Sequence, residues 1–126
     1  MKEIVSLHVG GAGIEIGNAV WQQACEDNGI DQDGRPKETL ESPYFLEVKE
    51  GRYEPRALLV DSDPYQAQKI QNGPMKNLYN QNHLISDKTD GGGLYSIGLQ
   101  QAKEMKETLS NKIRLLVENC DSMQGF

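Results

Sequence analysis

Over residues 3–9 the chain alternates, with Val5, Leu7 and Val9 on one face and Ile4 adding bulk, and it then runs straight into Gly10-Gly11-Ala12-Gly13. Alternation at period two is a strand, and clustered glycines allow a turn too tight for other residues. From Ile14 the period changes: Ile16, Val20 and Ala24 recur every fourth residue, and Gly17, Trp21 and Cys25 form the adjoining row, which predicts a helix. Asn28-Gly29 predicts its end. A strand that passes through a glycine turn into a helix is the opening of a parallel α/β sheet. At such a turn the backbone can approach a ligand closely, and the free N–H groups and dipole of the helix start favour an anion.

The later segments extend that pattern. Arg56-Ala57-Leu58-Leu59-Val60-Asp61 is a short apolar run ending in an acid, as in a strand covered on both faces. Ser62-Asp63-Pro64 breaks it, with Asp63 placed to cap a helix running to about Gln71 and Pro64 at its first position. Residues 83–86 read as a third strand and residues 87–93 as a second glycine loop. A long helix follows over 95–119, with Leu99, Ala102, Met105, Leu109, Ile113, Leu116 and Val117 at steps of three and four. Residues 31–55, rich in glycine, proline and charge, read as a long excursion anchored by Tyr44, Phe45 and Leu46. Beyond the long helix, residues 120–126 read as too short for another parallel strand. The expectation is therefore α/β, the first half of a Rossmann-like parallel sheet in one domain over 1–126, with an incomplete edge that a partner covers.

Charge and cysteines narrow the function. A net charge of -6 and a pI near 4.9 argue against nucleic acid and against an anionic membrane surface, since both need a positive face. A mean hydropathy of -0.65 implies a thin core, and no stretch has the length and apolarity of a membrane span or a signal peptide. Cys25 and Cys120 lie far apart and read as reduced, packed thiols. His8 and His83 lack metal-ligand spacing. The glycines do not spell a dinucleotide fingerprint, because Gly17 falls one residue late after Gly11 and Gly13, and the absence of Gly-Lys-Ser/Thr excludes a P-loop. Asp61 and Asp63 suit either Mg²⁺ held partly through water or a strand end and a helix cap.

Several runs together carry a family resemblance. Met1-Lys2-Glu3-Ile4, then Ser6 to Trp21 through Gly10, Ala12-Gly13-Ile14 and Ile16-Gly17-Asn18-Ala19, then Gly29-Ile30, resemble the amino terminus of the tubulin family, α-tubulin most of all. The likeness resumes at Pro55-Arg56-Ala57, Val60-Asp61, Asp63-Pro64, Gly73-Pro74, Tyr95-Ser96-Ile97-Gly98 and Cys120-Asp121-Ser122-Met123-Gln124-Gly125-Phe126, so it covers the chain in order. The resemblance implies a GTP-binding Rossmann-like domain whose first phosphate loop corresponds to residues 10–13. Where the family has a glutamine that meets phosphate and Mg²⁺, this chain has Gly11; where it has a glutamine near the nucleoside, this chain has Glu15. Both changes point away from GTP. Asp61 matches the family's aspartate, and Asp63 replaces a glutamate near Mg²⁺. Asp90-Gly91-Gly92-Gly93-Leu94 replaces the family's asparagine-containing loop, and the later phosphate loop, purine-binding segment and activating domain of the family have no counterpart in these residues.

The resulting expectation is a divergent, truncated, non-catalytic tubulin-like structural subunit of a larger assembly, with a degenerate GTP site. The alternatives are a segment of a GTP-binding microtubule protein and a regulator that mimics or caps tubulin. No cofactor is expected; if the site is retained, Gly10, Gly11, Ala12, Gly13, Glu15, Asp61 and Asp63 hold GTP, with Asp61 and Asp63 toward Mg²⁺. Expected partners are other protein subunits, whether tubulin, a microtubule-associated complex or another large assembly, with neither nucleic acid nor membrane insertion. The expected location is the cytoplasm, cytoskeleton or cilium, or alternatively an organelle-associated complex.

Overall fold

The computed structural model describes residues 1–49 and 51–126. In chain order it contains β1 (Glu3–Ile4), β2 (Ser6–Val9), α1 (Gly10–Asp27), β3 (Phe45–Lys49), β4 (Arg52–Pro55), β5 (Ala57–Asp61), α2 (Pro64–Gln71), a 3-10 turn (Gln81–His83), β6 (Leu84–Ser86), α3 (Tyr95–Glu118) and β7 (Met123–Gly125). The parallel α/β class is the one expected.

Parallel pairing sets the strand order. β2 pairs with β5 in the register Ser6↔Ala57 to Val9↔Val60, and β5 pairs with β6 from Leu59↔Leu84 to Asp61↔Ser86. β1 and β2 are one run interrupted at Val5, and its successive N–H groups point to opposite sides. The Val5 N–H donates to the Gly125 carbonyl at 3.1 Å, whereas the Ser6 N–H donates to the Arg56 carbonyl at 2.9 Å. Thus β7 lies on one side of the β1–β2 run and β5 on the other. The order across the molecule is β7, β1–β2, β5, β6.

β5 shows why the central strand reads as continuously apolar. Ala57 and Leu59 face a core with Ile14, Trp21 and Cys25 of α1, Ile70 of α2, and Phe45, Leu78 and Tyr79. Leu58 and Val60 face the opposite core with Val5, Ile85 and Leu116, edged by Met105, Leu109, Ile113 and Met123. Helices cover both faces of that strand.

Four expectations need correction. First, α1 begins at Gly10 rather than Ile14, because Gly10 makes the turn in a single residue at φ +78, a conformation that costs glycine little. Second, the 31–55 excursion ends in an antiparallel hairpin of β3 and β4, with Phe45 opposite Pro55 and Glu47 opposite Tyr53. Its strands are charged and short, so the apolar pattern that betrays a strand is faint. Third, residues 120–126 do deliver a strand: β7 pairs in parallel with β1, with Glu3 opposite Met123 and Ile4 opposite Gly125. Fourth, the apolar row of α3 is buried mainly in its C-terminal half. Leu116 is fully buried, whereas Leu99 and Ala102 are exposed, Gln101 being the side chain buried near the start of the helix.

Candidate functional site

The parallel register delivers three strand ends to one end of the sheet: Val9 of β2 opposite Val60, then Asp61 of β5 opposite Ser86 of β6. The glycine turn, the acid pair and the second glycine loop follow those ends. Sequence order alone separates them by tens of residues, and the parallel crossovers bring them together.

Each glycine of the turn has its own reason. Gly10 supplies the positive φ. A Cβ on Gly11 would lie 3.2 Å from Nε2 of Gln66 on α2, and one on Gly13 would lie 3.5 Å from the His8 backbone. Gly17, one turn further on, gives way to the His8 ring, which would stand 2.4 Å from a Cβ there. His8 Nε2 accepts the Trp21 indole N–H at 2.9 Å, and the burial that accompanies this packing lowers the His8 pKa. Part of the glycine pattern is therefore helix-to-strand packing. Val9 caps α1 without a side-chain hydrogen bond, so the first-turn N–H groups have no side-chain acceptor there.

The acid pair is already engaged with the backbone. Asp61 Oδ1 accepts the Asp63 N–H at 3.3 Å, and Asp63 Oδ1 accepts the Tyr65 N–H at 2.9 Å as the cap of α2, with Pro64 in the first turn. Among the described residues, each carboxylate keeps its second oxygen without a hydrogen bond. Among those residues, too, no group of three or more His, Cys, Asp or Glu side chains could hold a metal ion. Two carboxylate oxygens fit Mg²⁺ only where phosphate oxygens and water complete the shell.

Glu15 lies away from the turn, on the flank of α1 that faces α2. Its Oε1 is 3.2 Å from Lys69 Nζ, both side chains being more than half exposed. Together with Ile14, Asn18, Gln66, Ile70 and Met75 they line a cavity of about 490 Å³ between the two helices. Asn18 is fixed there by the Tyr79 hydroxyl, which donates to its Oδ1 at 2.9 Å. Gln66 and Lys69 carry no motif in the sequence, although their spacing of three on a capped helix places them on one flank of α2. In the second loop, Gly92 and Gly93 have φ of +61 and +73, and Gln101 Nε2 donates to the Thr89 carbonyl at 2.6 Å, tying the loop to α3. Among the described residues, no helix is long and apolar enough to cross a membrane.

Comparison with known proteins gives a consistent result. The family described as Tubulin/FtsZ family, GTPase domain, matches residues 3–126. The chain is 34% identical over 139 aligned residues to the tubulin alpha-1 chain of Schizosaccharomyces pombe, covering 100% of this chain and 30% of that relative. It is 39% identical over 133 residues to the tubulin alpha chain of Encephalitozoon cuniculi, again covering 100% of this chain and 30% of the relative. The tubulin alpha-2 chain of Caenorhabditis elegans is 36% identical over 133 residues with the same coverage. The chain thus spans about 30% of the length of the curated relatives it matches.

Proposed function

The chain belongs to the tubulin/FtsZ family, and from that premise we propose that it is a cytoskeletal structural subunit in which the glycine turn is inherited shape rather than working nucleotide chemistry. The observation that carries this reading is the state of the sheet end. Residues 10–13 open α1 through Gly10 at φ +78, yet Gly11 offers no side chain, and one oxygen of Asp61 and one of Asp63 are committed to backbone N–H groups. Catalysis needs a positioned group free to orient water or move a proton. Gly11, which has no side chain to supply such a group, supports the proposal that these residues do not hydrolyse GTP.

A structural role is supported by what lies uncovered. Val9, Ile16 and Val20 are 69%, 65% and 53% exposed, and Leu7 stands 41% exposed on the strand. Apolar surface of this kind is normally covered in an assembly. We place the protein with other subunits of a cytoplasmic cytoskeletal assembly, tubulin among the candidates.

One observation favours the second reading, a nucleotide-binding segment: Lys69 offsets the charge of Glu15, so the added acid repels a polyanion less than its sequence implies. A titration of the full chain with a fluorescent GTP analogue, with and without Mg²⁺, separates the two. The expected outcome is no saturable binding in the micromolar range. Mg²⁺-dependent binding at micromolar affinity or tighter would favour the second reading and remove the first.

A further inference from the structure

The chain carries 19 acidic residues against 13 lysines and arginines, so a place where bases outnumber acids runs against its average. Such a place lies between the β3–β4 hairpin and the chain that follows α2. Lys49, Arg52 and Lys76 line a hollow of about 440 Å³, and Arg35 and Arg52 line another of about 490 Å³. The two adjoin at Arg52 and Asn77 as one groove, which Glu54 and Asp33 line as well, so that four bases face two acids. Arg52 is its fixed wall, because Nε donates to the Asp33 carbonyl at 3.2 Å and Nη2 to the Asn77 carbonyl at 2.6 Å.

The acids in and beside the groove accept hydrogen bonds from neutral donors. Asp33 Oδ1 accepts the Asn77 amide at 2.9 Å, and Glu54 Oε1 accepts the Asn80 amide at 3.4 Å. Glu47 Oε1 accepts the Gly51 N–H at 3.3 Å, and Asp31 Oδ1 accepts the N–H groups of Asp33 and Arg35 at 3.0 and 2.9 Å. Among the described residues, the ion pairs are Lys69 with Glu15 and Arg114 with Glu118. Among those residues, then, no carboxylate comes within ion-pair distance of Arg35, Lys49, Arg52 or Lys76, although Glu54 feels the charge of Arg52, and the first, second and fourth of these bases are exposed.

We propose that this groove docks an acidic peptide segment of a partner protein, read by Arg35, Lys49, Arg52 and Lys76. Arginine and lysine favour carboxylates here because Arg52 is already held in place, so less side-chain freedom is lost on binding. Charge range selects a short acidic peptide over a nucleic acid. With a screening length of about 8 Å at physiological salt, a short segment seated in the groove feels these four cations, while a long polyanion also meets the surface of a chain of net charge -6.

The test uses the full chain and three labelled probes: a Glu-Gly decapeptide, a Lys-Gly decapeptide and a ten-nucleotide single-stranded DNA, each followed by fluorescence anisotropy at two salt concentrations. The expected result is salt-sensitive binding of the Glu-Gly peptide alone, weakened about tenfold or more in a triple variant Arg35→Glu, Lys49→Glu, Lys76→Glu. A control triple variant, Lys88→Glu, Lys103→Glu, Lys106→Glu, matches the change in net charge away from the groove and should bind as the parent does. Failure of the Glu-Gly peptide to bind, equal or tighter binding of the DNA, or an equal loss in the control would each overturn the proposal. Should the groove variant not fold, protection of Lys49 and Lys76, but not Lys103, from reductive methylation by the Glu-Gly peptide gives the same decision on the parent chain.

Discussion

At Gly17 two preferences of glycine oppose each other. Alanine in the middle of a helix is favoured over glycine by about 1 kcal/mol, yet a Cβ here would stand 2.4 Å from the His8 ring. Overpacking of a closed site costs about 1–3 kcal/mol, so the clash wins, and Gly17→Ala should lower the urea midpoint. In a His8→Ala background the ring is gone, and the same substitution should raise it. A cycle of the four proteins by urea denaturation checks this, and an unchanged sign would mean that the His8 ring does not set the glycine. His8 also links packing to pH. Burial lowers its pKa from the usual 6.5, and His83 is lowered by burial and by Lys112. The unfolded chain then binds more protons than the folded one just below 6.5, so these two groups stabilise above that value and lose their contribution as pH falls through the folded pKa. Glu54, raised by burial from 4.5, acts in the opposite sense nearer that value. The midpoint of a His8→Gln variant should therefore fall less than that of the parent between about pH 7.5 and pH 5.5.

Among the elements, β7 has three residues and an irregular register against β1, too little pairing to explain its placement by itself. Two buried charges hold the turn before it. Glu3 accepts the Asp121 and Ser122 N–H groups at 3.2 and 2.9 Å, and these bonds lower its pKa. Arg56 donates from Nε to the Phe45 carbonyl at 3.2 Å and from Nη1 to the Asn119 carbonyl at 3.1 Å, gathering β3 and the end of α3 onto β5. Replacing Glu3 by Gln removes the charge and leaves one carbonyl acceptor for two donors. The expected outcome is faster hydrogen exchange at Ser122 and at Val5, whose N–H bonds β7, with the amides of β5 unchanged; unchanged exchange at both would show that the ladder suffices. The same contacts explain what the sequence concealed. Asp63-Pro64 and the apolar run of β5 are local signals, and both produced the expected elements. β7 depends on bonds spanning 118 and 119 residues, which no window of periodicity can register. The turn of the candidate site was legible because glycine at φ +78 has a local cause, whereas the approach of Lys69 to Glu15 is a product of the crossover.

Taken whole, the molecule is covered unevenly. α1 buries Ile14, Trp21 and Cys25 against the sheet, while Ile16 and Val20, one turn apart, remain 65% and 53% exposed on another flank. An isolated exposed apolar residue needs no explanation, but an aligned exposed pair is a surface that water does not favour. If that flank faces a partner, polar replacement should separate folding from assembly. A double variant Ile16→Glu, Val20→Lys places opposite charges four residues apart in the favourable order, and exposed positions of this kind usually change stability by no more than about 0.5 kcal/mol. The expected outcome is an unchanged urea midpoint together with loss of the proteins that co-purify with the tagged chain from its own cells. Glu104→Lys, on an exposed stretch of α3, should leave both unaffected. Retention of every co-purifying protein by the double variant would mean that the flank is open in the assembly. The structural role would then have to rest on the sheet edges, where β7 and β6 carry the unpaired backbone.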